Sequence, residues 1–403
     1  DHHEVRERPP ADSFINPKLP GERYPFKELT GAGVAFKLLQ GLEKKMGVNL
    51  SLERYLDLVA IGTLGDYAAV VDENRVLISR GMEVLGAWRR PGLLALRDNS
   101  GLKADGFSPR RICFTIVPRL NSPGRMGSAR DVVKLLVTDD SAEAHRIAAG
   151  IEDKNIHRKA QDNRVTEEAC YLADIILKRS EPNALVFSSG SWSEGVVGIS
   201  AARLAEKYNL PAALIAVRDG MGKGSVRSAG KVNVKEALER CSDFLIDFGG
   251  HKEAGGFSIK ESDIPLFQRL FDEVVGEISF GGVKDDRIFI DAEIRMAEST
   301  LELVSFLEKL MPFGPGNHEP VFLLNNLHVE PRSRIVGNGH LRLKVSDRSG
   351  SSSSMIGFSL ASSWDINSLI GSSIDALIHL RKNRYMGKTE PQLQIIDMRI
   401  RKE

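Results

Sequence analysis

NALVFSSGSWSEGVVGISAARLAEKYNLPAALIAV, from Asn183 to Val217, is the stretch on which the fold turns. Its first apolar run, 184–187, is short, β-prone and closed by Ser-Ser-Gly, which fits a buried strand. Residues 194–208 then place apolar side chains at helical spacing behind a glycine-rich start. Pro211 ends that pattern, and AALIAV reads as a second strand. Strand, helix and strand in succession make an α/β unit. Toward the C-terminus, GKGSVRSAG (222–230) reads as a Gly/Ser turn. VKEALERCSDFLIDFGGHKEAGGFSI (234–259) reads as a helix running into Gly-Gly-His. A small α/β domain is therefore expected over 183–280. Upstream, 126–182 consists almost wholly of good helix formers, with Pro and Gly rare, and one long connecting helix is expected there.

Farther upstream, residues 1–29 are polar and Pro-rich and read as a loop that follows a strand lying before residue 1. Thr30 supplies an N-cap for a helix over 31–47. LDLVAIGTLGDYAAVVDENR (56–75) opens with an apolar run, strand or buried helix, and closes in Gly-Thr-Leu-Gly-Asp, a turn of the kind that presents polar groups to a ligand. RRICFTIVPRLNSPGRMGS (110–128) alternates apolar and polar side chains before a sharp Asn-Ser-Pro-Gly turn. After 285 the pattern changes to short strand-like runs separated by turns, which predicts a small β-barrel over 285–403. Charge divides inside it. Residues 285–331 carry three basic and nine acidic side chains, whereas 332–402 carry twelve basic and five acidic. A basic barrel surface is the local electrostatic footprint of a polyanion.

The rest of the composition mainly excludes. The chain of 403 residues is too long for one compact domain, and 55 Lys+Arg against 54 Asp+Glu leave no global field. No apolar run is long enough to span a membrane. Cys113, Cys170 and Cys241 lie far apart, which excludes a disulfide scaffold and a Cys-based zinc or iron–sulfur site and fits a reducing cytoplasm. The start, DHHEVRERPP, has neither an initiator Met nor an apolar core, so the chain is expected to begin inside a longer polypeptide.

Several short motifs carry chemistry. Asp1-His2-His3 offers carboxylate and imidazole, the oxygen and nitrogen ligands of Mn, Mg, Zn or Fe. Asp66, in the turn after 56–65, is a second candidate ligand, although a turn Asp also caps the segment that follows. PRLNSPGR sets Arg119 and Arg125 around a turn, and GKGSVRS brings Lys223, Ser225, Arg227 and Ser228 into a loop whose amides could face an anion. FGGHKEAGG places His251 after two glycines, where backbone can approach a ligand closely. Each has a plain alternative as solvated loop or packing, with Trp192 of SWSEGVVG filling a core. Together they converge on phosphodiester chemistry.

DHHE, PFKELTGAGVAFKLLQGL, LDLVAIGTLGDYAAVVDENR, PRLNSPGR, SWSEGVVGISAARLAEKY, GKGSVRSAG, FGGHKEAGG and MPFGPGNHEPVF occur in the order found in the bacterial RecJ family of the DHH phosphoesterase superfamily, and the chain resembles that family along essentially its whole length. The resemblance implies an α/β fold: the C-terminal part of a parallel-sheet DHH domain (1–125), a long connecting helix (126–182), a nucleic-acid-binding DHHA1 domain (183–280) and an OB barrel (285–403). It implies a 5′→3′ exonuclease specific for single-stranded DNA, acting in recombination and repair through two Mn²⁺ or Mg²⁺ ions. His2 and Asp66 would be metal ligands, with Asp1 and His3 orienting His2 and contacting the scissile phosphate. Arg119, Ser225 and Arg227 would hold the 5′-terminal phosphate, and Arg125 and His251 would line the nucleic-acid path. The family's Asp-rich first motif and a further strand-end Asp are not found here, so fewer ligands are expected than two ions need.

Two other readings compete. A non-catalytic single-strand-binding fragment or paralogue would keep the barrel and lose the cut. A DHH phosphodiesterase for short oligoribonucleotides or cyclic dinucleotides would end near 280, so the basic barrel argues against it. The leading reading expects a cytoplasmic monomer acting on single-stranded DNA beside single-strand-binding protein and a RecQ-type helicase.

Overall fold

The computed structural model describes residues 1–3, 5, 9–102, 108–228, 230, 232–279, 287–385 and 387–401. Glu4 of DHHE and Ala229 of GKGSVRSAG lie outside these. The chain divides into two compact units, one built from 1–85 together with 287–403 and the other from 86–286.

The first unit begins with α1 (Gly31–Met46), α2 (Leu56–Gly65) and α3 (Asp72–Gly86). Thr30 caps α1 by accepting from the Gly33 amide, and Gly47 ends it in the left-handed conformation. The apolar run at 56–62 is helix, not strand. It is apolar nearly all round because α2 is buried nearly all round. The packing is close: a Cβ at Gly62 would lie 2.7 Å from Ala32 Cβ, and one at Gly81 would lie 2.2 Å from the Leu56 carbonyl oxygen. Among the described residues, 1–125 contributes helices and no strand.

The second unit continues with α4 (Pro91–Ser100), α5 (Pro109–Arg125), α6 (Arg130–Val137) and α7 (Ser141–Leu177). The alternation at 110–117 is not a strand, and Asn-Ser-Pro-Gly is not a sharp turn. Ser108 caps a helix with Pro109 in its first turn, where the missing N–H costs nothing. Ile112 and Ile116 are buried one turn apart, and Phe114 is exposed. The single helix expected over 126–182 is broken at Thr138–Asp140, where Asp140 accepts from the amides of Ala142 and Glu143 to start α7.

Next come β1 (Leu185–Ser189), α8 (Glu194–Tyr208), β2 (Ala212–Arg218), β3 (Met221–Arg227), α9 (Val234–Arg240), β4 (Leu245–Gly250), β5 (Ala254–Lys260) and α10 (Ile264–Ser279). The strand order is β1-β2-β3-β5-β4, with β1 and β2 parallel and the rest antiparallel. Successive side chains divide between two cores. Val186, Ala213, Ile215 and Val226 pack with α9 and α10, whereas Leu185, Phe187, Ala212 and Leu214 pack with α7 and α8. Trp192 belongs to the second core, and its Nε1 donates to Glu168 at 2.9 Å. GKGSVRS is therefore the middle of a sheet, not a loop. Its amides belong to the ladder, and its side chains at every second position are what it presents.

The first unit resumes with β6 (Ala292–Glu293), α11 (Leu301–Glu308), β7 (Phe322–Val329), β8 (Arg334–Val336), β9 (His340–Ser346), β10 (Ser352–Gly357), α12 (Ile366–Leu369), β11 (Ser373–Tyr385) and β12 (Lys388–Ile400). Strands β7, β9, β10, β12 and β11 form a closed ring, since β11 and β9 both pair with β7. This is a five-stranded barrel with one parallel pair, β10 and β12, around a core that includes Leu341, Leu343, Val345, Met355 and Ile374. The loop before β7 reaches the α2–α3 turn. The Val70 amide donates to the Pro315 carbonyl at 2.6 Å, and Arg75 Nη2 donates to that of Leu310 at 2.9 Å.

Candidate metal centre and anion pocket

In the first unit, α2 ends by placing Asp66 at its C-cap. The Thr30 and Thr63 hydroxyls, 3.3 Å apart, and the close approach at Gly62 fix α2 against α1. Asp66 Oδ2 lies 3.5 Å from His2 Nδ1, and the His2 ring rests at the start of α1, 3.7 Å from where a Gly31 Cβ would be. Asp1 Oδ1 accepts from the amides of His2 (2.7 Å) and His3 (3.3 Å) and lies 2.8 Å from His3 Nδ1. The buried Asn16 holds the segment by donating to the His3 carbonyl. One ligand atom from each of Asp1, His2 and His3 fits within a 4.8 Å cluster. Burial lowers the pKa of His2 despite the opposing charge of Asp66, so the neutral imidazole that a metal requires is favoured. The Asp1-His2-His3 cluster, with Asp66 beside His2, offers the oxygen and nitrogen donors that a first-row divalent ion such as manganese takes.

In the second unit, β3 turns Lys223, Ser225 and Arg227, at every second position, onto the α8 side of the sheet, where they line an open cavity of about 410 Å³. Arg125, at the end of α5, Val197 and Gly198 of α8, and Ser258 of β5 line it too, with Glu194 and Asp247 as its acidic members. The cationic side chains are held. Arg227 Nη1 donates to Ser225 Oγ and the Val226 carbonyl, both at 2.7 Å; Lys223 Nζ donates to Ser258 Oγ at 2.6 Å; Arg125 Nη1 donates to the Gly195 carbonyl at 3.3 Å. Burial and the neighbouring Arg125 charge lower the pKa of Arg227, a cost that a bound anion would offset.

Gly-Val-Val-Gly of SWSEGVVG now has a reason. A Cβ at Gly195 would lie 2.1 Å from the Arg125 carbonyl oxygen, and one at Gly198 would lie 3.0 Å from both Arg227 Nη2 and Ser225 Oγ. Asp247 and Ser258 are not found from the sequence because their proximity depends on strand register, whereas Glu194 and Gly198 of SWSEGVVG reach the cavity because α8 packs on β3. Asp247 is paired with Ser258, and Lys223 with Ser258, across adjacent strands.

Two expected residues lie outside the cavity: Arg119, expected at the 5′ phosphate, and His251, expected along the nucleic-acid path. Arg119 is 8% exposed and forms a two-pronged pair with Glu152 of α7: Nη2 donates to Oε1 at 3.0 Å and Nε donates to Oε2, while Nη1 donates to the Thr115 carbonyl. It does not line the cavity. His251 sits exposed in the β4–β5 hairpin, its amide donating to the Ala254 carbonyl, and does not line the cavity either. Ser228 is buried and its hydroxyl accepts from the Gly230 amide.

Family models match two parts of the chain: the DHHA1 domain at 181–277 and the RecJ OB domain at 290–397. The single-stranded-DNA-specific exonuclease RecJ of Bacillus subtilis is 33% identical over 405 residues, covering 98% of this chain and 50% of that protein. The crystal structure of RecJ in complex with Mn²⁺ from Thermus thermophilus superposes with a TM-score of 0.84 at 28% identity, covering all of this chain and 57% of that one. A crystal structure of exonuclease RecJ bound to manganese matches with a TM-score of 0.57 at 31% identity, over 70% of each chain. The chain thus spans about half the length of the Bacillus relative.

Proposed function

From a chain that belongs to the RecJ family, we propose a metal-dependent 5′→3′ exonuclease acting on single-stranded DNA in recombination and repair. The observation that carries this reading is the β3 face. Lys223, Ser225 and Arg227, with Arg125, turn three cations and a hydroxyl toward one cavity, a receptor suited to phosphate. In the whole protein, His2 and Asp66 would hold Mn²⁺ or Mg²⁺, with Asp1 and His3 beside them. Such an ion makes a bound water more acidic and neutralises charge that develops on the scissile phosphate. Asp1 fixes the orientation of His3 and of the His2 amide, so the donors are set before any ion arrives. Ser225 and Arg227 would seat the strand's 5′ phosphate.

In this reading Arg125, which lines the cavity, takes the phosphate-holding role that the resemblance implies for Arg119. Arg119 instead anchors α5 to α7 through Glu152, which fixes where the α5 end, and so Arg125, emerges. His251, exposed on its hairpin, and the basic barrel would follow the strand beyond its end. No helix among the described residues is long and apolar enough to cross a membrane. A cytoplasmic monomer working beside single-strand-binding protein and a RecQ-type helicase is the setting we propose.

A second reading is favoured by the size of the donor cluster. Among the described residues it offers ligands for one ion, and a two-metal site needs more, so this chain could bind strands without cutting them. The deciding experiment incubates a 5′-phosphorylated, 3′-labelled oligonucleotide with Mn²⁺ and the chain, alongside Asp66→Ala and Arg227→Gln. Stepwise shortening that Asp66→Ala abolishes supports the exonuclease. Intact strand that remains bound to the wild type but not to Arg227→Gln supports the binder. A strand neither cut nor bound removes both.

A further inference from the structure

The anion cavity is charged unevenly along its length. Its cations are held by neutral oxygens: Arg227 by Ser225 and the Val226 carbonyl, Arg125 by the Gly195 carbonyl, Lys223 by Ser258. Glu194 and Asp247 line the same cavity, both exposed, and among the described residues neither makes an ion pair. Their places follow from the fold. Helix α8 returns from the end of β1 to the start of the parallel β2, so it runs antiparallel to β2 and in the direction of β3. Gly198 of α8 meets Ser225 and Arg227. Glu194 lies one turn earlier on the same helix face, about 6 Å back along the axis. Lys223 lies two residues before Ser225, about 6.7 Å back along β3. Glu194 therefore comes over the Lys223 end. Asp247 reaches that end across the sheet, since it stands opposite Ser258 in the register and Ser258 stands opposite Lys223. One end of the cavity thus holds Ser225 and Arg227 under the small Gly198, and at the other two carboxylates flank one lysine.

We propose that Glu194 and Asp247 make the cavity selective for a strand that ends in a single 5′ phosphate, by repelling the further phosphates of a 5′-triphosphate end, a selectivity that rests on the cavity being a phosphate seat. A phosphate monoester carries about −1.5 to −2 at neutral pH, which Arg227 and its cationic neighbours can match. With the strand's own phosphate in the seat, two more phosphates have to share a cavity whose other end is Lys223 between two carboxylates. No fourth cation stands among the described lining residues to receive them. Like charges brought together in this way discriminate between ligands, because the cost falls on the extra phosphates and spares the single one. Glu194 also stands in the first turn of α8, where a carboxylate suits the helix N-terminus. That helix role alone would affect stability and leave the choice between strand ends untouched.

The test compares oligothymidylates ending in a 5′ hydroxyl, a 5′ monophosphate or a 5′ triphosphate, without divalent metal. Binding is followed by fluorescence anisotropy and folding by thermal midpoint. The wild type is expected to prefer the monophosphate to the hydroxyl, and Arg227→Gln to lose that preference. If either fails, the phosphate-seat reading fails and the selectivity falls with it. If the seat holds, the wild type is expected to bind the triphosphate end at least about threefold more weakly than the monophosphate end. In the double variant Glu194→Gln/Asp247→Asn, triphosphate binding is expected to rise about tenfold and monophosphate binding no more than about threefold, the size of a few like-charge contacts at an intermediate dielectric. A gain of binding cannot come from a variant that fails to fold. A wild type that binds the triphosphate end as tightly as the monophosphate end would overturn the proposal. So would equal gains for both ends, which would mark a general field, or no gain at all, which would make the exclusion one of shape. A lowered thermal midpoint with unchanged discrimination would leave Glu194 only its helix role, and the proposal would be refuted.

Discussion

Arg119, the arginine that the resemblance sets at the 5′ phosphate, is held within the fold. Its guanidinium is committed at three nitrogens, two to Glu152 and one to a carbonyl of its own helix. Arg119→Gln is expected to leave Glu152 half-buried and unpaired and to cost about 2–4 kcal/mol of stability by urea unfolding. Adding Glu152→Gln should restore most of that stability and keep phosphate binding. A stable double variant that no longer binds the 5′ phosphate would return Arg119 to the binding site. Gly198 makes the complementary case. A methyl there meets Arg227 Nη2 and Ser225 Oγ at 3.0 Å, so Gly198→Ala must displace the two side chains that face the cavity. We expect phosphate affinity to fall about three- to tenfold with little change in thermal midpoint. Unchanged affinity would show that the cavity's geometry is not what binds.

At the scale of elements, Asp375 on β11 is the polar anchor of the barrel. It is 4% exposed, accepts from the Asn326 amide at 2.9 Å, faces Arg399 across the β11–β12 register and also lies near Arg401. Burial alone would raise its pKa, but the Asn326 amide and the two arginines outweigh it and hold it below its ordinary 3.8. A carboxyl with a depressed pKa in the fold contributes stability that is fully present above the unfolded value and lost as pH falls through the folded one. Asp375→Asn is therefore expected to lower urea stability by about 1–3 kcal/mol at neutral pH. The gap from the wild type should close as pH drops below 3.8, and a constant gap across that range would refute the ionic role. The barrel itself was legible in sequence, because each strand alternates over one continuous core. Helix α5 was not, since two internal prolines and an accidental period of two hid its Ile112–Ile116 stripe. Strand β3 was hidden for another reason. Gly222 and Gly224 look like a turn, yet they are small because Ile215, Ile259 and the Phe257 ring occupy the space a side chain would need. Lys223, Ser225 and Arg227 of the cavity could be named from their motif, but not the sheet face that displays them.

At the scale of the whole molecule, the first unit is discontinuous: the helices of 1–85 and the barrel of 287–403 belong to one compact body although 201 residues of chain (86–286) separate them. The MPFGPGNHEPVF motif explains how. Gly314 and Gly316 approach Val70 and Val71 so closely that a Cβ would come within 2.6 Å and 2.9 Å of their methyls, and Asn317 Nδ2 ties the loop by donating to the carbonyls of Leu310 and Pro312. The contact falls four residues after Asp66, so the barrel's entry loop braces the segment that presents the candidate metal ligand. Gly314→Ala should force β-branched Val70 aside, since a valine cannot swing its methyls away as a flexible side chain can. We expect faster amide exchange across 63–75 and weaker Mn²⁺ binding by calorimetry. Exchange in the core strands β9 and β10 should stay as in the wild type, because their packing is independent of the loop. Unchanged exchange at 63–75 would mean that α1 and α2 alone hold Asp66. Equal acceleration in β9 and β10 would mean that the loop supports the barrel's own fold rather than bracing the metal ligand.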